Sequence, residues 1–234
     1  MRFLRMAAFA AAIAGALTAS AGAGSVSAEP SVVLGAASGI VFDNNSGCSL
    51  TAIGHDSAGR LVGLTAGHCA PTGARVGAEQ ALQAGVIGTV AFSDDGEYLD
   101  FAVLQLDASK VVPVRTVGQT TVVGIGEPPA AGATVCSDGR TSGRSCGVVW
   151  GELEGTSINQ YCSQPGDSGG PVVVGDRLVG MNQGRLTGLG PVDFDFPCTN
   201  GANPLHSPAY FQPIGVILEV LNRAGGVGAG FQPI

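Results

Sequence analysis

Apolar positions in this chain come in short runs that stop at glycine. Residues 49–53 and 60–65 flank a polar turn at 55–59 and read as a β-hairpin. Residues 86–92 alternate loosely between apolar and polar. From Phe101 to Leu106 nearly every position is apolar, the pattern of a strand covered on both faces. Further runs occupy 147–150, 171–174, 177–181 across the Gly175-Asp176 turn, and 209–214. Only 215–223 has a helical rhythm, with Val216, Ile217, Val220 and Leu221 on one side. The pattern predicts an all-β chain with a C-terminal helix.

Composition agrees with that picture. The chain has 234 residues, 38 of them glycine, and only 12% are charged. Glycine on this scale weakens helices and suits short strands joined by tight turns. An apolar share of 45% is too high for a disordered chain. The formal charge of −7 argues against a nucleic-acid partner, which would need a basic face.

The first residues read as a leader rather than as part of the fold. Arg2 and Arg5 precede an apolar, alanine-rich run, and small residues continue to Ala28. This is the layout of a secretory signal peptide, with cleavage expected after Ala28, or alternatively after Ala23. The run is too short for a membrane span. Without the leader, 9 basic residues face 18 acidic ones, so no stable membrane association is expected. The mature chain is expected to be extracellular. The short stretch before Gly39 leaves no room for a long folding pro-region, so unassisted folding is expected.

Six cysteines behind a leader read as disulfides. Fifteen pairings are possible. Pairing in chain order closes the shortest loops and gives Cys48–Cys69, Cys136–Cys146 and Cys162–Cys198. No closely spaced cysteine pair supports a zinc site, and neither a metal nor another cofactor is expected.

Several segments are ambiguous. A Pro/Gly-rich stretch at 124–132 reads as a linker or long loop. The tetrapeptide Phe-Gln-Pro-Ile occurs at 211–214 and again at 231–234. The favoured reading of the second copy is coincidence on a frayed Gly-rich tail; the alternative is a tail that docks on the body. Asn44-Asn45-Ser46 matches a glycosylation sequon and is taken as a polar turn.

Three segments carry chemistry. In Gly166-Asp167-Ser168-Gly169-Gly170-Pro171 the glycines free the backbone to aim two N–H groups at one point, as an oxyanion hole requires. Thr65-Ala66-Gly67-His68-Cys69 sets a histidine at a strand end beside a cysteine that can anchor it. Imidazole titrates near neutrality and can take a proton from a serine hydroxyl. Leu99-Asp100-Phe101 sets a carboxylate directly before the apolar strand. A buried Asp is costly unless paired, and orienting a histidine is one such pairing. Taken singly, each motif has a bland reading: a glycine-rich turn, a structural histidine, a strand cap.

The order His68, Asp100, Ser168, with Cys48 upstream, resembles the chymotrypsin-like serine proteases from about residue 39 to 223. Cys162-Ser163-Gln164-Pro165 before the serine motif, the compact segment Cys136 to Cys146, and Tyr210-Phe211-Gln212-Pro213 before the last helix are similar to the bacterial secreted branch, including streptogrisins and α-lytic protease. The resemblance implies two packed six-stranded antiparallel β-barrels with the site between them. An N-terminal barrel over 29–120 would supply His68 and Asp100. A C-terminal barrel over 121–223 would supply Ser168, and a Gly-rich tail over 224–234 would follow. Implied roles are Ser168 as nucleophile, His68 as base, Asp100 as its orienting group, and the Gly166 and Ser168 N–H groups as oxyanion hole. Animal members pair the Asp before the serine with a new N-terminus. Ile40-Val41 follows no basic residue here, so Asp167 is expected to find another cation, with Arg140 and Arg144 as candidates. Bacterial relatives usually carry an Arg where this chain has Ser137.

By the same resemblance Ser163, Gln164, Asn182, Gln183, Gly184 and Arg185 line the first substrate pocket. These stretches hold no acidic residue to select a basic side chain; Arg185 could favour an acidic substrate residue, but the preferred reading is that it simply faces solvent. The implied partners are protein or peptide substrates, acting on a monomer. Two other readings compete. One is a catalytically silent binding module. The other is an α/β-hydrolase esterase, with Ser168 on a nucleophile elbow and Asp193 or Asp195 with His206 completing the set.

Overall fold

The computed structural model describes residues 31–189 and 192–234. The expected leader, 1–28, lies outside the described residues. The described residues form two large antiparallel sheets, one short parallel pair between Val32–Leu34 and Val111–Pro113, two small two-stranded antiparallel sheets, and one α-helix.

The first sheet contains β1 (Gly39–Phe42), β2 (Gly47–Ser49), β3 (Ala52–His55), β4 (Leu61–Thr65), β5 (Arg75–Ala78), β6 (Val86–Ser93) and β7 (Ala102–Leu106). They pair in the order β3-β4-β7-β6-β5-β1-β2. The sheet curls into a half-barrel. Its two ends among these seven strands, β2 and β3, are consecutive along the chain, and the partner changes at the bend: Leu50 N–H donates to Ser38 and Thr51 N–H to Leu64. β4 is buried at all five positions and β7 at all but Gln105, matching their apolar runs.

The second sheet contains β8 (Thr134–Gly139), β9 (Gly143–Leu153), β10 (Thr156–Asn159), β11 (Pro171–Val174), β12 (Arg177–Arg185) and β13 (Ala209–Pro213). Its order is β12-β11-β8-β9-β10-β13, and β13 pairs back onto β12. Six strands therefore close on themselves. The closed six-stranded barrel and the half-barrel together make the all-β double-barrel architecture expected, the first unit being the more open one. The 124–132 stretch belongs to the crossing between the sheets, and Gly124–Ile125 adds a short parallel pairing to Arg177 and Leu178.

Alternation along β11 and β12 sorts residues between two cores, because successive side chains point to opposite faces. Val172 and Val179 pack with Val135, Val149, Tyr161, Ala209 and Phe211 inside the closed barrel. Val173 and Leu178 join the larger cluster that fills the half-barrel. The helix α1 (Ile214–Ala224) buries Ile214, Ile217 and Leu221 in that larger cluster and so bridges the two units. The expected helix, 215–223, lies within it.

The tail is not frayed. Gln232 and Pro233 form β14 and pair with His55 and Gly54 of β3, and Phe231 is buried. The carboxylate of Asp56 accepts N–H bonds from Ala58, Arg60 and Gly228, plus one from Arg60 Nε. Burial alone would raise its pKa; these donors more than offset it, and the value lies below the ordinary carboxylate range. A β-carbon on Gly54 would lie 1.9 Å from the Gln232 carbonyl, so β3 accepts its new neighbour only as glycine.

The three disulfides are Cys48–Cys69, Cys136–Cys146 and Cys162–Cys198, the pairs that chain order suggests. Each adds about 3 kcal/mol on a loop-entropy model. Asn44 forms a hydrogen-bonded turn with Ser46 and donates to the Cys69 carbonyl.

Candidate active site

The half-barrel supplies a histidine and a carboxylate. His68 sits on a single 3₁₀ turn, Gly67–Cys69, that begins two residues after β4. Cys69 ties this turn to β2. Asp100 precedes β7 by two residues and adopts a positive φ of 53°, uncommon for a residue with a side chain. Its two carboxylate oxygens divide the work. Oδ1 accepts the His68 backbone N–H at 2.8 Å, and Oδ2 lies 2.7 Å from His68 Nδ1. An ionised carboxylate only accepts, so Nδ1 carries the ring proton and Nε2 keeps its lone pair. The hydrogen bond to Asp100 raises the His68 pKa above its ordinary value, and the charge of Asp94 adds to this, against desolvation.

Asp94, which the sequence reading did not single out, organises the loop that presents Asp100. Its carboxylate accepts N–H bonds from Gly96, Leu99 and Phe101. A β-carbon on Gly67 would lie 2.3 Å from Asp94 Oδ1, so the histidine turn packs directly on this carboxylate. The Ser-Asp-Asp-Gly sequence at 93–96 is a turn signal that could have pointed to it.

The closed barrel supplies the serine. Ser168 lies three residues before β11 in a bend made by Gly166 and Gly169, at φ +98° and +77°. Glycine adopts such angles without steric cost. At Gly169 there is also no space, since a β-carbon would lie within 2.2–2.7 Å of Thr65 Oγ1, the Ser49 carbonyl and the Ala66 nitrogen. The serine loop is thus pressed against the backbone that leads into His68. Hydrogen bonds cross the same seam: Ser49 N–H to the Ser168 carbonyl, Ser49 Oγ to the Gly166 carbonyl, and Thr51 Oγ1 to the Gly169 carbonyl. Among the described residues, neither the Gly166 nor the Ser168 N–H has a hydrogen-bond partner. Ser168 Oγ lies 3.4 Å from the Gln183 carbonyl, at hydrogen-bond distance.

Asp167 corrects an expectation. Among the described residues its carboxylate, on a residue only 2% exposed, forms no ion pair with an arginine, although Arg140 lies near enough to feel its charge; it accepts from the N–H groups of Gln164, Thr141 and Ser142 and from Ser142 Oγ. Arg140 instead pairs with Glu79 across the seam, raising the arginine's pKa and lowering the glutamate's. Arg144 donates to Thr120. Neutral donors suffice because each N–H aimed at a buried carboxylate stabilises its charge. Gly139 leaves the room, since a β-carbon there would lie 2.3 Å from Asp167 Oδ1.

The six residues named as pocket lining separate into different environments. Ser163 and Asn182 are buried and hydrogen-bonded to each other, and Asn182 also holds Tyr161 Oη and the Asp167 carbonyl. Gln164 is half-buried and holds Asp167 through its backbone. Gln183 is buried and reaches across to the half-barrel. Gly184 and Arg185 pair with Tyr210 and Ala209 of β13. Arg185 does not simply face solvent: its guanidinium is bidentate to Asp195, at 2.8 and 2.9 Å. His206 Nδ1 faces the Ser207 carbonyl. With Asp195 occupied in this way and with antiparallel barrels in place of βα units, the α/β-hydrolase reading is excluded.

No family model matches the chain. Streptogrisin-C of Streptomyces griseus is 29% identical over 126 residues, which is 50% of this chain and 24% of that protein. Serine protease 1 of Rarobacter faecitabidus is 32% identical over 136 residues, 52% of this chain and 26% of that protein. The aligned segments thus span about a quarter of these curated relatives. Among solved structures, Thermobifida fusca protease A superposes with a TM-score of 0.67 at 24% identity, covering 87% of this chain and 99% of that one. Cellulomonas bogoriensis chymotrypsin gives 0.62 at 26% identity, with coverage of 87% and 99%.

Proposed function

We propose that this chain, whose fold and sequence similarity are those of bacterial chymotrypsin-like serine proteases, is a secreted serine endopeptidase. In this reading Ser168 Oγ attacks a peptide carbonyl while His68 Nε2 takes its proton. Asp100 holds the tautomer that leaves Nε2 free and stabilises the imidazolium that forms. The Gly166 and Ser168 N–H groups receive the developing oxyanion; losing one comparable donor costs about 10²–10³ in rate. His68 then protonates the leaving amine, and water releases the acyl group by the reverse sequence.

The observation that carries the reading is the pairing of His68 with Asp100 on one barrel, beside a serine loop pressed onto the residues leading into His68. Three disulfides favour an oxidising, extracellular setting. No helix of the described residues is long and apolar enough to cross a membrane. We take the working form to be a monomer, free of cofactor and of nucleic acid, acting on peptides. Intact residues at all the proposed positions favour this over a silent binding module.

The test is hydrolysis of an unfolded protein by the purified chain, with peptide products identified by mass spectrometry. Cleavage that disappears in both Ser168→Ala and His68→Ala, and survives in His206→Ala, supports the proposal. A folded wild-type chain that cleaves no peptide bond across a broad set of sequences contradicts it.

A further inference from the structure

Gln183 touches both halves of the candidate site at once. Its backbone carbonyl is the hydrogen-bond partner of Ser168 Oγ, at 3.4 Å. Its side chain, on a residue 5% exposed, extends the other way and crosses from the closed barrel to the half-barrel. There Nε2 donates to two consecutive carbonyls, Leu99 at 3.1 Å and Asp100 at 3.0 Å. Both donors of one amide are spent on the peptide units around a single residue. That residue is Asp100, the one with positive φ.

We propose that Gln183 is a positioning residue: its amide pins the Leu99 and Asp100 carbonyls and so holds the Asp100 carboxylate on His68. The inference rests on the serine-protease reading above. Three features support it. First, Asp100 sits in a backbone region that persists only when its surroundings over-determine it. Asp94 fixes this loop through the N–H groups of Leu99 and Phe101, and Gln183 fixes it through the carbonyls. Second, Gln183 Oε1 is buried with no hydrogen-bond partner. An orphaned buried acceptor is a standing cost that an apolar residue of the same length would avoid, so packing alone does not account for glutamine here. Third, both Asp100 oxygens are aimed at one histidine, one at its backbone and one at its ring. A rotation of the 99–101 peptides would break both bonds together.

Among the described residues the amide makes no hydrogen bond to Ser168 Oγ or to His68, so it acts through Asp100. Loss of its donors should lower kcat with little change in KM, because the side-chain amide, although Gln183 is among the residues expected to line the substrate pocket, is spent on the Leu99 and Asp100 carbonyls. It should also move the acid limb of the pH–rate profile. His68 is faced by the carboxylates of Asp100 and Asp94, and Tyr210 lies close enough to Asp100 to feel its charge. A loosened Asp100 stabilises the imidazolium less, so His68 would lose its proton at lower pH.

The variant Gln183→Met keeps the length and removes the donors. Its kcat should fall by about 10²-fold, the scale of a small misplacement of a reacting group, with KM within about twofold of wild type and the acid limb at lower pH. Thermal melting and the intact disulfides check that it folds. If it does not fold, Gln183→Asn is read in the same way, since its shorter amide cannot reach both carbonyls. In either folded variant, an unchanged kcat and acid limb overturns the proposal, as does a loss confined to KM. A wild-type chain with no peptidase activity overturns the serine-protease reading instead, which separates the two failures.

Discussion

The two faces of the candidate site are built on different principles. On the half-barrel, His68 and Asp100 meet side chain to side chain, and their side chains are 42% and 18% exposed. On the closed barrel, Ser168 is held by its backbone, through glycines with positive φ and carbonyls that accept across the seam. Its neighbour Asp167 is buried among neutral donors. The first face can be tuned, because partly solvated charges set the histidine's proton affinity. The second cannot be tuned without being broken, because its geometry is made of main chain in close contact. Substitutions on the two faces should therefore leave different signatures.

The largest effect is expected where both faces meet in the reaction. Ser168→Ala should reduce hydrolysis by about 10⁶-fold, with little change in stability. Asp100→Asn should cost about 10⁴-fold, and it should also change the pH profile. The sign follows from proton linkage. Asp100 raises the His68 pKa, so in wild type the base is freed only as pH climbs past a value above the ordinary 6.5. The matching contribution to folding stability has the opposite slope: it is full below 6.5 and is lost as pH rises through the raised value. Asp100→Asn should thus move the acid limb downward and flatten that stability slope, measured by pH-dependent kinetics and melting.

Next in size come changes that act on the fold. Phe231→Ala empties a buried position in the docked tail and should cost about 3–5 kcal/mol in denaturant unfolding, with no shift of the acid limb. Gly169→Ala should cost about 1–3 kcal/mol from backbone strain, plus the clash with Ser49, Thr65 and Ala66. Its activity should fall while the pH profile keeps its wild-type midpoint. A Gly169→Ala variant with a shifted midpoint would blur the distinction between the two faces. The smallest effect belongs to the Arg140–Glu79 pair. Both side chains are partly exposed, so Glu79→Gln should change stability by less than about 1 kcal/mol, and less again in high salt.

How much of this was legible beforehand depends on how local each signal is. His68, Asp100 and Ser168 stand in short motifs whose glycines and flanking strands mark them, so they could be picked out as candidates in the order of the chain. The disulfides followed from order too. Long-range partners were another matter. Gln183 reads the same whether it lines a pocket or bridges two barrels, and nothing near Asp167 in sequence announces the N–H groups of Thr141 and Ser142. The tail shows the limit most directly. Phe-Gln-Pro-Ile at 211–214 leads from β13 into α1, because Ile217 and Leu221 continue the buried face that Ile214 begins, while Val216, expected on that side, is exposed. In the second copy only Gln232 and Pro233 form an edge strand on β3, after a glycine-rich turn. Their flanks and the strand available for pairing decide the difference, and four letters carry neither.

The central claim is that the two faces make one alcohol oxygen reactive. Treatment with a phosphonyl fluoride, followed by peptide mapping, tests it most directly. The account predicts modification at Ser168 alone, at a rate that rises with pH along the His68 titration and collapses in Asp100→Asn. A folded, disulfide-intact protein that stays unmodified, or that is labelled at Ser168 no faster than at other serines, would contradict it.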